Sequence, residues 1–112
     1  MDDILKQIIS FVPLITKLIP VDCGVAVSDR ETILCCHSNL QNLQIDTFSN
    51  QEGAPVSVNS PMGECMQKDR ILHTSIPKEM VGMPSRSTAI PLKNSQGMIV
   101  GSILLVLAWK IN

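Results

Sequence analysis

His73-Thr-Ser-Ile-Pro-Lys-Glu-Met-Val-Gly82, then Ser87-Thr-Ala-Ile-Pro-Leu-Lys93, Asn94-Ser-Gln-Gly97 and an apolar run from Met98 to Trp109 carry the clearest structural signal in the chain. Two strand-like segments, Arg86 to Lys93 and Met98 to Ile111, are joined by a polar turn closed by glycine, which is a β-hairpin pattern. The second arm is apolar on both faces, with Ile103, Leu105 and Leu107 on one and Leu104, Val106 and Ala108 on the other. A strand of that kind belongs in the middle of a sheet covered on both sides.

Working back towards the N-terminus, Ile71 to Ile76 reads as a third strand and Pro77 to Pro84 as a loop. Ser60 caps a helix with Pro61 at its first position, and Glu64 gives a capping-box-like pattern running to about Asp69. Asn39 to Asn59 is polar and weakly periodic, with a short helix expected around Leu40 to Phe48. Val21 to Ser28 and Thr32 to Ser38 form a second hairpin across the polar turn Asp29-Arg30-Glu31. In its first arm the small residues Gly24, Ala26 and Ser28 share one face, opposite Cys23, Val25 and Val27. A face of small residues leaves space above the sheet for a packed helix or a ligand.

The chain opens with a helix capped by Asp2 or Asp3 and ended by Pro20. Its apolar positions Ile4, Ile8, Phe11, Ile15 and Leu18 are spaced four-three-four-three, and a second stripe of Leu5, Ile9, Val12 and Ile19 runs beside them. One stripe suffices to dock the helix on its own sheet. Two make room for a helix of another subunit, with Ile4, Ile8, Phe11, Ile15 and Leu18 as the dimer interface; packing wholly within one domain is the alternative. Pro13 should bend the helix near Ile9. The expectation is an α+β fold: a five-stranded, mainly antiparallel sheet with the N-terminal helix on one face and crossover helices on the other.

At 112 residues the chain reads as a single domain, residues 1–112. A hydrophobic fraction of 45% against 17% charged residues makes it globular rather than disordered. A net charge of −1 gives no electrostatic attraction to nucleic acid or to an anionic membrane. Aromatics are 3%, too few for base-stacking platforms. Met1-Asp2-Asp3 is acidic where a secretory leader is basic, so Cys23, Cys35, Cys36 and Cys65 are expected as free thiols in a reducing cytoplasm. The longest apolar stretch, Ile103 to Trp109, is far short of the roughly 20 residues that cross a bilayer.

Two segments resemble the PAS/GAF-like sensor domains found at the N-terminus of bacterial methyl-accepting chemotaxis proteins. In those domains a strand ending in Pro-Ile/Leu-Lys passes through a Gly-x-Ile/Val-Gly hairpin into the last core strand. The matching residues are Ile90-Pro91-Leu92-Lys93 and Gly97-Met98-Ile99-Val100-Gly101. Pro77-Lys78-Glu79-Met80-Val81-Gly82 is similar to the family's Pro-Lys-Glu-x-x-Gly loop, and Gly53 with Ser60 to Gly63 to the Gly and small polar cap before its second helix. The resemblance is most specific over Ile76 to Leu105 and looser elsewhere. It implies a small-molecule sensor, a homodimer, and a C-terminal signalling domain in cis. Family members continue into a long signalling helix where this sequence stops at Asn112, so the chain reads as an excised domain.

The candidate ligand residues are Cys36, His73, Arg86, Thr88 and Ser102. Arg86 enters the fourth strand beside the hydroxyls of Ser87 and Thr88, a set that can hold a carboxylate bidentately; a solvent-facing arginine at a strand start is the alternative. His73 can donate a hydrogen bond to a ligand or serve as an axial haem ligand, against the reading of a satisfied structural histidine. The sequence requires no cofactor. In Cys35-Cys36-His37 only Cys35 and His37 share a face, and no Cys-x-x-Cys pair completes a metal site, so buried structural thiols are the reading preferred. A redox sensor built on Cys35, Cys36 or Cys65 is the alternative. Met62, Met66, Met80, Met83 and Met98 read as core filling, with a pliable pocket lining as the alternative. No nucleophile elbow, phosphate-cradling loop or His-Glu-x-x-His pair occurs, and catalytic residues are not assigned. The expected function is a ligand-binding, dimerising input domain whose site lies between the sheet and the crossover segment Asn39 to Asp69. A ligand-free scaffold of the same fold is the rival.

Overall fold

A computed structural model describes residues 1–39, 52–76 and 84–108. The elements are α1 (Asp3–Leu18), β1 (Cys23–Asp29), β2 (Ile33–Ser38), α2 (Pro61–Lys68), β3 (Leu72–Ile76), β4 (Ser85–Lys93) and β5 (Ile99–Ala108). The five strands form one sheet in the order β2-β1-β5-β4-β3, with every neighbouring pair antiparallel. The last strand is thus central, as its two-faced apolar pattern requires. The expected helix around Leu40 to Phe48, most of the loop after Ile76 and the strand's continuation past Ala108 lie outside the described residues.

Both hairpins are closed by a side chain that satisfies the backbone of its own turn. Asp29 Oδ1 accepts from the N–H groups of Glu31 (2.8 Å) and Thr32 (2.6 Å). Asn94 Oδ1 accepts from those of Gln96 (2.9 Å) and Met98 (3.0 Å), while Gly97 takes φ +79°. Such Asx turns, with glycine where the chain turns left-handed, fix a tight reversal locally. The outer edge of β2 is sealed by residues 52–56. Ile33 donates to Ala54 O (2.9 Å), Gly53 to Ile33 O (2.8 Å), and Cys36 N–H to Glu52 Oε1 (2.8 Å).

The second helix starts as its sequence predicts, with Ser60 accepting from Gly63 N–H (3.2 Å) and Pro61 in the first turn. Glu64, however, does not complete a capping box. It stands one position past the third helical residue, and its carboxylate pairs with Lys68 one turn on.

α1 buries Leu5, Val12 and Thr16, with Asp2 capping it through Ile4 N–H (3.3 Å). It is assigned as helix through Pro13. Its core partners are Val25, Val27 and Leu92, flanked by Leu34, Cys35, Ile103 and Leu105. The helix runs diagonally over the sheet. At its start, Asp2, Ile4 and Gln7 border Asn94 to Gln96, and Leu5 sits over Gly101, where an added Cβ would stand 2.9 Å from Leu5 Cδ2 and 2.0 Å from Ser28 O. At its end, Asn39 acts as a clasp. The amide Nδ2 donates to the carbonyls of Thr16 (3.0 Å), Ile19 (3.3 Å) and Val21 (3.0 Å), and Oδ1 accepts from Cys23 N–H (2.8 Å). These bonds satisfy carbonyls that a helix end leaves unpaired.

The opposite face carries Gly24, Ala26, Ser28, Ser85, Ser87, Ala89, Ser102 and Val106, all buried. α2 packs on β3, β4 and β5 with Met62 and Cys65 buried. Of the other methionines thought to fill the core, Met98 is exposed at the hairpin turn, Met66 is half-buried, and Met80 and Met83 lie outside the described residues.

All four cysteines are free. Burial, then the Glu52 carboxylate, then the neighbouring Cys35 push the Cys36 thiol from 9.0 up to about 12. Burial pushes Cys65 up to about 11, against a lowering by the backbone at Met66. Cys35 is raised by burial and Glu52, and Cys23 by burial and Asp22. A thiol whose folded value lies above its unfolded one contributes stability that is present below the unfolded value and lost as pH rises towards the folded one.

Two outcomes follow. Asn39→Ala should lower stability in urea unfolding by about 1–3 kcal/mol. Asn39→Asp should lose at least as much, since it keeps the acceptor for Cys23 but turns a carboxylate on three carbonyls; an unchanged midpoint in both would remove the clasp. The wild-type urea midpoint should fall between pH 9.0 and about 12, with a shallower slope in Cys36→Ala. Equal slopes would show that Cys36 ionises normally in the fold.

Candidate functional site

Strand register determines which polar side chains meet. His73 of β3 lies opposite Thr88 of β4, and Ser75 opposite Arg86. On the other side of β4, Thr88 faces Leu105 and Arg86 faces Leu107 of β5. Directly paired residues share a sheet face, so all six stand on the α1 side, where Val25 and Val27 pair with Leu105 and Ile103.

Because α1 crosses diagonally, it leaves this end of the sheet uncovered. His73, Ser75 and Arg86 are exposed and Ile90 is 37% exposed, while Thr88, Leu105 and Leu107 are half-buried. Strand five was expected to be covered on both faces. Ser102 and Val106 are buried on the α2 side and Leu104 and Ala108 half-buried, while Ile103, Leu105 and Leu107 on the α1 side are all half-buried, because one diagonal helix is narrower than five strands. The result is an open groove of about 370 Å³ lined by His73, Thr74, Ser75, Arg86, Ser87, Thr88 and Leu107.

His73 Nδ1 and Thr88 Oγ1 share a hydrogen bond of 2.9 Å. With the hydroxyl as donor, the ring's other nitrogen carries the proton; with the ring as donor, the hydroxyl proton is released towards the groove. Either way the pair presents a donor beside the Arg86 guanidinium and the Ser75 hydroxyl. Among the described residues, the lining includes the Arg86 guanidinium and no carboxylate. Leu107 supplies an apolar wall.

Three of the five candidate ligand residues, His73, Arg86 and Thr88, therefore converge, and two do not. Ser102 points to the α2 side, fully buried, with its hydroxyl 2.6 Å from that of Ser28. Cys36 is on that side too, opposite Ala26 and separated from β5 by β1. On the small-residue face where the ligand was expected, Gly24, Ala26, Ser28, Ser87, Ala89 and Ser102 are buried and α2 packs over β3, β4 and β5; residues 40–51 of the crossover lie outside the described residues. Ser75 and Leu107 join the groove without having been singled out from the sequence. Ser75 could have been found as the same-face neighbour of His73. Leu107 could not, because it depends on the register between β4 and β5.

No family model matches the chain. A relative is YfmS of Bacillus subtilis, a protein named for a sensory-transducer role, 26% identical over 103 residues that cover 90% of this chain and 34% of that protein. The chain thus spans about a third of the length of this relative, and the likeness is to a signal-transduction protein.

Proposed function

We propose that the chain is a small-molecule-sensing input domain of a cytoplasmic, bacterial signal-transduction protein of the chemoreceptor type, non-catalytic and paired through α1. The observation that carries the reading is the position of the groove. Its wall includes Leu107, near the end of the central strand, so an occupant touches the element that leads out of the sheet. A ligand shifts output only through a difference in affinity between two arrangements, and coupling of about 1–3 kcal/mol is typical of such switches. The sensory role in the name of the Bacillus subtilis relative supports the reading.

Pairing through α1 rests on its outward stripe. Phe11, Leu14 and Leu18 are 56%, 53% and 72% exposed, at spacings of three and four along the helix. Ile4, Ile8 and Ile15 are half-buried against the chain's own core and flank that stripe. The contact surface is therefore Phe11, Leu14 and Leu18 with the three isoleucines at its margin. Raised thiol values on all four cysteines weigh against a thiolate-based redox sensor, which needs an acidic, accessible thiol.

Native mass spectrometry of the domain should give a dimer, and Phe11→Asp combined with Leu18→Asp a folded monomer. A monomeric wild type would remove the pairing. A thermal-shift screen of small metabolites should find a compound that raises the melting temperature by several degrees, at about 4–8 °C per kcal/mol of binding linkage. Thr88→Trp, which fills the groove, should abolish that response. A flat screen would favour a ligand-free scaffold, and a response unchanged in Thr88→Trp would move the site elsewhere.

A further inference from the structure

We infer that the outer edge of β3 is a joint for a second copy of this chain, the two strands running antiparallel about a twofold axis at Thr74 and joining two five-stranded sheets into one of ten. The joint is separate from pairing through α1 and does not depend on the sensing role.

The two margins of the sheet are finished differently. Along β2, residues 52–56 supply backbone partners for Ile33, and the Glu52 carboxylate takes the Cys36 N–H. On the other side the strand order ends at β3, and no strand lies beyond it among the described residues. Its middle residues His73, Thr74 and Ser75 are all exposed, on both faces of the sheet; no other of the five strands has three exposed residues in a row. Their hydrogen bonds run inward to β4, from His73 to the Thr88 hydroxyl and from the Ser87 hydroxyl to the Thr74 carbonyl. An edge strand turns the N–H and C=O of alternate residues outward, a template for another extended chain. Edges that stay single are blunted by lysine, proline or a bulge. Leu72-His-Thr-Ser-Ile76 contains no proline and no charged Lys, Arg, Asp or Glu, and its register with β4 is unbroken.

The residue pattern names the partner. Outward from Thr74 in either direction come a polar residue, His73 or Ser75, and then an aliphatic one, Leu72 or Ile76. Laid antiparallel on its own copy about Thr74, the strand sets Thr74 against Thr74, His73 against Ser75 and Leu72 against Ile76. Directly opposed residues share a face, so each His73 meets a Ser75 hydroxyl on the α1 side. On the α2 side two leucine–isoleucine pairs flank the two threonines, covering Leu72 and Ile76, which are half-buried in one copy. Such cross-strand pairs contribute about 0.2–1 kcal/mol each, and no like charges oppose. Centring the axis on His73 would set Leu72 against Thr74 and His73 against itself. Centring it on Ser75 would set Ile76 against Thr74. An unrelated peptide could use the backbone groups but has no reason to match this two-way pattern.

The axis stands normal to the sheet, so both α1 helices lie on one face of the joined sheet. His73 and Ser75 line the groove, so the grooves of the two copies adjoin at the axis. Because α1 packs mainly over β1 and β2, the two joints use separate surfaces and one copy can make both. Five residues span about 17 Å and give about four to six backbone hydrogen bonds. That is small beside the roughly 1,000 Å² of a stable interface, so the dissociation constant should be about 0.1–1 mM. At the micromolar concentrations of native mass spectrometry, only pairing through α1 is then expected.

The test is sedimentation equilibrium of the whole chain carrying Phe11→Asp and Leu18→Asp, followed up to about 1 mM. This parent should pass from monomer to dimer, and its concentration-dependent amide shifts in NMR should centre on Leu72 to Ile76. Adding Thr74→Lys or Thr74→Glu should weaken association at least tenfold in either variant alone, because like charges then face each other across the axis. An equimolar mixture of the two should regain association at least as strong as the parent's, since position 74 now opposes its complement. Thr74 is exposed, and unchanged amide spectra over β1 and β5 would establish that the variants fold. If wild type is itself monomeric at micromolar concentration, pairing through α1 falls, and the same Thr74 series in wild type reads the β3 joint. A parent that stays monomeric, shifts confined to residues away from β3, or association unchanged by both Thr74 variants would overturn the inference. Loss in each variant without recovery on mixing would overturn the axis at Thr74 and the joint built on it.

Discussion

The fixed ends of α1 govern what the rest of the molecule can present. At the start of the helix, Leu5 drops onto Gly101, a position where any larger residue would collide with Leu5 and with the Ser28 carbonyl. At its end, the Asn39 amide gathers three carbonyls and the Cys23 N–H into one cluster. One anchor lies over the β4–β5 hairpin and the other at the entry to β1. A rigid rod held at those two points crosses the sheet obliquely and cannot also shelter the far ends of β3 and β4. The groove is the area left over.

The two sheet faces solve the packing problem with different side chains. Towards α2, small residues let the helix approach closely, and the polar atoms that come with serine find partners inside. Ser28 and Ser102 bond each other, and Ser87 reaches the Thr74 carbonyl at 3.4 Å. A buried hydroxyl without a partner would be costly, so this face is stable only when complete. Towards α1, large aliphatic residues fill the covered half, and polar ones take over where cover ends. His73, Ser75 and Arg86 are exposed on that side, where water can solvate polar groups, and half-buried Thr88 bonds His73.

Much of this architecture was readable from the residues. The alternation in β1, the polar turns beginning at Asp29 and Asn94, the Ser60-Pro61 helix start and the two-faced pattern that places β5 mid-sheet are local signals, and each survives in the fold. The site was less legible for two physical reasons. Which strand face α1 would leave open depends on its crossing direction, and that is set by Gly101 and Asn39, contacts between residues far apart in sequence. The meeting of His73 with Thr88 depends on β3–β4 register, and the long connection after Ile76 does not impose one as a two-residue turn would. The small residues of β1 are buried on their own face, and α2 packs on the neighbouring β3, β4 and β5. Within α1, Leu14 escaped notice because it falls outside both apolar stripes, yet it stands between Phe11 and Leu18 on the exposed side.

A groove on the α1 side has a consequence for how an occupant would be felt. Any group seated against Leu107 shares a face with Leu105, and the next residue on that face, Ile103, packs against the core of α1. Strand β5 is hydrogen-bonded on both sides along its length, so it moves with β1 and β4 or not at all. The softer element is α1, which joins the sheet through side-chain packing and two anchors and has no backbone ladder to it. That helix carries the exposed stripe of Phe11, Leu14 and Leu18, so the proposed pairing surface and the proposed binding groove meet at the same element.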